Sequence, residues 1–246
     1  MARYVCSDLH GRYDLAKQII DYLGPNDHLY FLGDAIDRGP YGLDTLMLLI
    51  NHPQVTFFKG NHEDMMFKTL VGGSCDHVMI DHYEYLRREV INIWLQNGGG
   101  NTILDLDDLR ERDPEEFTSL MTRVSDLRCR MVLTNKRGET VVLSHAGFQP
   151  GHISPAQDQE LWDRDHIEWP SWPDEPALVN TIIVHGHTPI QYIREYQDEF
   201  DPSPYWYCDN HKVCIDLMSA YSGYAMMVNI DTWESIAFEG EHRYDI

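Results

Sequence analysis

The chain has 246 residues, of which 43% are hydrophobic and 11% aromatic, a composition that excludes an intrinsically disordered protein and supports a globular core. Its 40 acidic and 19 basic residues give a formal net charge of −21, which excludes a binding surface for long nucleic acids because such binding depends on basic groups. The charge does not exclude a small phosphorylated substrate, because bound cations can reverse the local field.

The chain lacks the sequence features of a membrane or secreted protein. No apolar run is long enough to cross a bilayer, so no membrane partner is expected. The first residues have no apolar core and no small-residue cleavage site of a signal peptide, and we expect a cytoplasmic location. The five cysteines are odd in number and widely spread without a C-x-x-C pair, which indicates reduced thiols rather than a disulfide framework or a zinc site.

Strands and helices alternate over the first sixty residues. Apolar patterning predicts strands over 3–7, 28–32 and 55–59, and helices over 13–23 and 42–50. Such alternation predicts a layered α/β core whose functional loops lie at the carboxyl ends of the strands.

The segment 64–130 has a different character. It is charged and mostly helical in pattern, with Val90 and Trp94 at helical spacing and a break at Gly98-Gly99-Gly100. We expect a helical insertion, or cap, within a single domain that spans 1–246. Further strands are predicted over 140–144, 181–184, 213–217 and 224–230, and loops over 165–178 and 197–206.

Five short polar segments each follow a predicted strand. In chain order they are Asp8-Leu9-His10-Gly11, Gly33-Asp34-Ala35-Ile36-Asp37-Arg38-Gly39, Gly60-Asn61-His62-Glu63, Ser144-His145-Ala146-Gly147 and His185-Gly186-His187-Thr188. Taken singly, an Asp or Asn after a strand is most often a helix N-cap, and a lone His is more often structural than a ligand. Five such segments in one order indicate a shared site.

The residue types in these segments indicate the kind of site. Carboxylate oxygens mixed with imidazole nitrogens suit Mn²⁺, Fe or Zn²⁺ better than Ca²⁺. One carboxylate has two oxygens, so it can bridge two cations about 3.5–4 Å apart, which is a recurring separation in phosphoester hydrolases.

The combined motifs D-x-H-G, G-D-x-x-D-R-G, G-N-H-E, H-A-G and G-H-T resemble those of the calcineurin-like metallophosphoesterases, from Asp8 to about Tyr221. The likeness is strongest to the serine/threonine phosphoprotein phosphatases, including the small bacterial and bacteriophage lambda type. Symmetrical diadenosine tetraphosphate hydrolases share the motifs. Many other members end in G-H-x-H, whereas this chain has Gly186-His187-Thr188, which favours the phosphatase branch. The resemblance implies a four-layer α/β/β/α sandwich of two mixed sheets, with the insertion capping one rim.

The resemblance also implies a set of metal ligands. Asp8, His10 and Asp34 would hold one cation, and Asp34, Asn61, His145 and His187 would hold the other, with Asp34 bridging the two. By the same likeness manganese is the expected metal, with iron or zinc as alternatives. His185 is expected to be structural or to support the site rather than to bind a metal.

A mechanism follows from the same resemblance. A metal-activated hydroxide would attack the phosphorus of a phosphomonoester in line, while Arg38 and Arg164 clamp the phosphate oxygens. From the residues alone, Arg164 could equally form a surface ion pair with Asp163 or Asp165. His62 would protonate the leaving oxygen, and Asp37 would bind its other ring nitrogen.

The expected activity is hydrolysis of phosphoserine or phosphothreonine in proteins. One alternative is diadenosine tetraphosphate or another small phosphoester, which would use the same metal centre. Another is a module that binds phosphorylated ligands without turnover, which the presence of His62, Asp37 and Arg38 disfavours. We expect the eight histidines outside the motifs on the surface, and Trp94 and Trp162 beside the cleft.

Overall fold

The computed structural model describes residues 1–71, 80–148, 150, 161–168, 172–194 and 200–241. Its strands are β1 (Arg3–Cys6), β2 (His28–Phe31), β3 (Val55–Phe57), β4 (Arg130–Thr134), β5 (Thr140–Ser144), β6 (Thr181–His185), β7 (Tyr205–Tyr207), β8 (Lys212–Cys214), β9 (Tyr224–Asn229) and β10 (Ser235–Glu239). Its helices are α1 (Tyr13–Tyr22), α2 (Gly42–Ile50), α3 (Asn61–Leu70), α4 (Ile80–Gln96), α5 (Gly100–Arg112), α6 (Pro114–Ser125) and the single turns α7 (Asp165–Glu168), α8 (Ile190–Ile193) and α9 (Ser219–Ser222).

The strands form two five-stranded mixed sheets. The first sheet has the order β10-β9-β1-β2-β3, and the second has the order β4-β5-β6-β8-β7. Parallel pairing joins β1, β2 and β3 in one sheet and β5, β6 and β8 in the other. The remaining pairs are antiparallel. The parallel strands in each sheet therefore end at one common edge.

Alternation along β1 shows how the layers pack. Val5 faces an apolar core that it shares with Leu143 and Val184 of the second sheet. Its neighbours Tyr4 and Cys6 point the opposite way, into a core that the helices line, as the two-residue period of a strand requires. The predicted α/β class with two mixed sheets and surrounding helices is confirmed.

Helices α3 to α6 lie between β3 and β4, in the segment predicted as a helical insertion. Helix α6 begins at a favourable sequence, because Asp113 accepts a hydrogen bond from Glu116 N at 3.0 Å and Pro114 occupies the first turn. Leu106 and Leu120 are fully buried in the same apolar cluster as the α1 and α2 side chains. These helices therefore share a core with the first sheet.

Several short elements differ from the sequence prediction. Strand β7 begins at Tyr205 inside the predicted loop 197–206, and α7 lies inside the predicted loop 165–178. Strands β4 and β10, which were not predicted, are edge strands whose residues are mostly exposed or half-buried. Edge strands lack the continuous apolar run that marks a buried strand, so the pattern does not reveal them.

None of the described helices is both long enough and apolar enough to span a bilayer.

Candidate metal centre and phosphate cleft

The loops that follow β1, β2, β3, β5 and β6 meet at one edge of the sandwich. Backbone hydrogen bonds join the first two loops, from Asp8 N to Gly33 O at 3.1 Å and from His10 N to Asp34 O at 2.9 Å. Glycine is required where the loops touch, because a Cβ on Gly60 would overlap Asp34 Oδ1. The packing of these loops brings the polar residues of separate motifs into one volume.

Backbone strain is concentrated in these loops. Non-glycine residues rarely adopt positive φ, and the left-handed region costs about 1–2 kcal/mol per residue. Six of the predicted site residues have φ values from 44° to 73°: Asp8, His10, Asp34, Asp37, Arg38 and His187. Strain of this kind is typical of sites at which the surrounding structure holds side chains in a functional orientation.

Asp34 lies at the centre of the site. Its Oδ2 atom is 3.5 Å from His145 Nε2, 3.6 Å from His10 Nε2 and 3.8 Å from His62 Nε2. Burial alone would raise the pKa of Asp34, but the surrounding imidazoles outweigh burial and hold the pKa below its usual value. Asp34 is therefore an ionised carboxylate with nitrogen donors on several sides.

Two groups of candidate ligand atoms share Asp34. His145 and His187 complete one group, and His10 and His62 complete the other; all atoms within a group lie within 4.8 Å of one another. The amide oxygen of Asn61 adjoins the first group, 2.9 Å from His145 Nε2 and 3.0 Å from His187 Nδ1. Two cation positions that share one carboxylate fit this arrangement.

Asp8 occupies a different position from the other predicted ligands. Among the described residues it joins neither group, and its carboxylate accepts hydrogen bonds from Ser7 Oγ and from His187 N. Burial and the charge of Asp34 raise the pKa of Asp8 well above its usual value. The effect of the Asp34 charge shows that the two carboxylates lie close together, and the role of Asp8 as a ligand stays a prediction.

The orientation of two histidine rings shows that the site suits cations. His145 Nδ1 lies 2.8 Å from Leu32 O, and His10 Nδ1 lies 2.9 Å from Ile36 O. A carbonyl oxygen only accepts, so both Nδ1 atoms carry hydrogen, and in the neutral ring each Nε2 presents a lone pair to the site. The lone pair of His145 Nε2 then faces the amide oxygen of Asn61, and a cation bound by both atoms would remove their repulsion.

Glu63 holds two of the loops together. Its Oε2 atom accepts hydrogen bonds from Asp34 N at 2.8 Å and Gly60 N at 2.9 Å, and its Oε1 atom accepts one from Ala35 N at 2.9 Å. Burial, followed by the charge of Asp34, raises the pKa of Glu63 to about 7. Glu63 therefore fixes the backbone on both sides of Asp34 without itself facing the cleft.

Asp37 and His62 form a second buried pair. Asp37 Oδ2 is 2.5 Å from His62 Nδ1 and also accepts a hydrogen bond of 2.7 Å from Trp94 Nε1. Trp94 is fully buried, so it does not line the cleft as expected but instead holds Asp37 in place. This contact joins α4 to the site, and sequence spacing contains no signal for it.

A cleft of about 530 Å³ opens above these groups. Arg38 and Arg164 both line it, as does His187. Arg38 Nη1 is 2.8 Å from His10 Nε2, and Arg38 Nη2 is 3.3 Å from His62 Nε2. Residues that the motifs did not assign to the site also line the cleft: Gln96, Asn97, Gly98, Pro189, Tyr192 and Met218.

The remaining predicted residues take the following places. Tyr221 lines the cleft, and the Trp162 ring lies 6.1 Å from the His187 ring. His185 is buried outside both ligand groups, with its Nε2 atom 2.7 Å from Tyr207 Oη. The surface prediction is wrong for His166, which is 1% exposed because its ring packs on His185 at 4.8 Å. His77, His152 and His242 lie outside the described residues.

Sequence comparison relates the chain to known phosphatases. The family model for calcineurin-like phosphoesterases matches residues 1–218. Serine/threonine-protein phosphatase 2 of Escherichia coli (strain K12) is 30% identical over 205 residues, which cover 80% of this chain and 84% of that protein. The protein of the same name from Salmonella typhimurium is 29% identical over 226 residues, which cover 89% of this chain and 91% of that protein.

Solved structures share the fold at low sequence identity. A protein serine/threonine phosphatase from Saccharomyces cerevisiae aligns with a TM-score of 0.56 at 16% identity, over 100% of this chain and 82% of its own. A candidate diadenosine tetraphosphatase aligns with a TM-score of 0.56 at 14% identity, over 97% of this chain and 93% of its own. At these identities the likeness concerns the fold alone.

Glu63→Gln tests whether the Glu63 carboxylate organises the site. The amide would place a donor against backbone N–H groups, so we expect a loss of about 1–3 kcal/mol in the free energy of unfolding. Metal affinity should fall about 10–100-fold, as for other groups that orient ligands. Urea unfolding and calorimetric titration with Mn²⁺ measure the two effects, with the exposed Glu111→Gln as control. Unchanged Mn²⁺ affinity in Glu63→Gln would contradict this role.

Proposed function

The chain belongs to the calcineurin-like phosphoesterases and is a hydrolase, and on this premise we propose that it is a dinuclear-metal phosphatase for phosphoserine and phosphothreonine in proteins. The observation that carries the proposal is the position of Asp34. Its ionised carboxylate is surrounded by imidazole nitrogens beneath a cleft that Arg38 and Arg164 line. Two cations and two guanidinium groups would then act on one phosphoryl group.

The proposed ligands are those that the motifs indicate. Asp8, His10 and Asp34 would hold one cation, and Asp34, Asn61, His145 and His187 would hold the other. His62 lies beside the first cation position but is proposed as the proton donor rather than as a ligand. Manganese suits this mixture of oxygen and nitrogen donors, and iron or zinc would fit the same set. When bound, the two cations supply the Lewis acidity that activates a water nucleophile and neutralises charge on the phosphate oxygens.

Arg38 and Arg164 bind and orient the phosphate in this proposal. Arg38 lines the cleft with its Nη1 and Nη2 atoms 2.8 Å from His10 Nε2 and 3.3 Å from His62 Nε2. A cation on His10 Nε2 and a proton on His62 Nε2 would release these N–H groups to the phosphate. Arg164 is exposed, and its charge contributes to lowering the pKa of His187, after burial and His145, which places the guanidinium near the ligand groups. The alternative partner Asp163 instead accepts a hydrogen bond from Asp165 N and lies 3.6 Å from His166 Nδ1.

His62 supplies the proton for the leaving oxygen. Its Nδ1–H is bound to Asp37, so Nε2 is the atom that faces Arg38, which lines the cleft. Burial lowers the pKa of His62, but the charges of Asp34 and Asp37 outweigh burial and raise it. An imidazolium with its proton on Nε2 is suited to general acid catalysis near neutral pH.

The charge of the cleft favours a single phosphoryl group. Among the described residues that line it, the cationic side chains are Arg38 and Arg164. A tetraphosphate would need further basic groups along the cleft, whereas one phosphomonoester is matched by two guanidinium forks and two cations. The names of the two bacterial relatives, serine/threonine-protein phosphatase 2, support the same substrate class.

Diadenosine tetraphosphate is the second candidate substrate. Tyr192 and Tyr221 line the cleft with 59% and 44% of their surface exposed, and such rings can stack on a nucleobase. The fold is also shared with a candidate diadenosine tetraphosphatase.

A module that only binds phosphorylated ligands would not need the proton donor His62 or its partner Asp37.

Product formation from a panel of substrates tests the proposed class, with phosphate measured for the phosphopeptides and nucleotide products measured for diadenosine tetraphosphate. Manganese-loaded protein should hydrolyse phosphoserine and phosphothreonine peptides with a higher kcat/KM than diadenosine tetraphosphate, because the two guanidinium groups of the cleft match one phosphoryl group. Phosphotyrosine peptides are compared in the same assay. Preference for the dinucleotide would instead establish the alternative. Absence of turnover with two metals bound would favour the binding module.

His62→Gln tests the proton donor. The variant should keep both metals but lose about 10²–10⁴-fold in kcat on a phosphoserine peptide, whose leaving alkoxide needs a proton. The loss should be much smaller on p-nitrophenyl phosphate, whose leaving group is stable as an anion. Steady-state kinetics on both substrates, with metal analysis of each preparation, measure the difference. Equal losses on the two substrates would contradict an acid role.

A further inference from the structure

A largely buried group of polar side chains on the second sheet takes no part in the proposed reaction. It comprises Lys212 on β8, His185 on β6, Tyr207 on β7 and His166 on α7, and we call it the outer-face cluster. Register pairs Lys212 with Ile183, so its side chain lies on the face opposite Val184 and the core between the sheets. Lys212 and His185 have no exposed surface, and His166 is 1% exposed.

The ammonium group of Lys212 binds α7 to the sheet. Its Nζ donates a hydrogen bond of 2.9 Å to the backbone carbonyl of His166 and lies 5.8 Å from the centroid of the Tyr207 ring. Burial lowers the pKa of Lys212 to about 8. Burying a cation costs free energy, whereas burying an apolar side chain of similar length does not. The presence of a lysine at this position therefore favours a role in fixing the position of α7.

The segment 161–168, which contains Arg164 and α7, is also anchored on either side of Arg164. Leu161, at the start of the segment, is fully buried, and the His166 ring packs edge to face against His185 with centroids 4.8 Å apart. The carbonyl of Arg164 accepts a hydrogen bond of 3.0 Å from Ile167 N, which closes the turn between these anchors. The exposed side chain of Arg164 therefore projects from backbone whose position the buried anchors determine.

This segment connects the outer-face cluster to the cleft. Arg164 lines the cleft together with Arg38 and His187. Arg38 belongs to a strained loop that several backbone hydrogen bonds hold in place. The position of Arg164 instead depends on how the segment 161–168 packs against the second sheet. A displacement of about 1 Å is enough to impair a phosphate-binding group.

We propose that Lys212 is a positioning residue for Arg164, which it places at the phosphate by holding the His166 carbonyl against the second sheet. The inference rests on the proposed function, in which Arg164 binds the phosphate of the substrate. Lys212 itself contacts neither substrate nor metal in this account. A lysine that supported only the fold would affect activity independently of Arg164.

A double-mutant cycle separates these two roles. The kcat and KM of manganese-loaded protein for p-nitrophenyl phosphate are measured in wild type, Arg164→Ala, Lys212→Met and the double variant. We expect Arg164→Ala to raise KM about tenfold and Lys212→Met to raise KM at least about threefold, each with a smaller change in kcat. The double variant should match Arg164→Ala within about twofold, because the two changes disable the same contact.

Lys59→Met is a matched control. Lys59 is also a buried lysine that donates to a backbone carbonyl, that of Ser125 at 3.3 Å, and lies 5.7 Å from the Phe67 ring centroid. The loss of kcat/KM in a Lys59→Met/Arg164→Ala double variant should equal the product of the losses in the two single variants. Lys212→Gln, which keeps an N–H donor on a shorter side chain, should fold and give a KM between those of wild type and Lys212→Met.

Each outcome of the cycle decides between the proposals. Two results would overturn the positioning role and leave the proposed function intact. One is a double variant in which the losses of kcat/KM caused by Lys212→Met and Arg164→Ala multiply. The other is a wild-type KM in Lys212→Met when Arg164→Ala has a raised KM. An unchanged KM in Arg164→Ala would refute the proposed clamp itself. Two manganese ions per chain in every variant would exclude an effect through His187.

Discussion

The arrangement of the site depends on one ionised carboxylate, that of Asp34. Its buried oxygens lie among imidazole rings from three other loops, and the pKa of the carboxyl group is held below its usual value. A carboxylate in that position can bind two cations at once. Loops from both sheets meet at one edge and supply the other ligands that two cations would need. The two parallel strand groups make this possible, since their carboxyl ends point to the same edge.

The protein supports this charge at a cost to its own stability. Positive φ values recur through the site loops, and several carboxyl groups are buried close together: Asp8, Asp34, Asp37, Glu63 and Asp216. Buried like charges are unfavourable without counterions, so cations would complete the folded state as well as the chemistry. Glu63, Trp94 and the backbone bonds between loops hold the side chains in orientations that local preferences oppose.

The sequence predicted the interior of this fold and the placement of the motifs, because buried strands carry apolar runs and the motif residues follow them directly. Edge strands such as β4 and β10 escaped prediction, since half-exposed strands have a mixed pattern. The contacts of Trp94 with Asp37 and of Lys212 with His166 could not be predicted. Each contact joins residues that are distant along the chain. Their sequence spacing does not indicate the contact, which arises only from the packing of helices against the sheets.

The most direct test of the account is the manganese content and electron paramagnetic resonance spectrum of the loaded protein, compared between wild type and Asp34→Ala. We expect two manganese ions per wild-type chain, with the spectrum of an exchange-coupled pair because one carboxylate bridges them. Asp34→Ala should lose the coupled signal and hold fewer than two ions. A coupled pair bound with unchanged affinity in Asp34→Ala would contradict the bridging role on which the account depends.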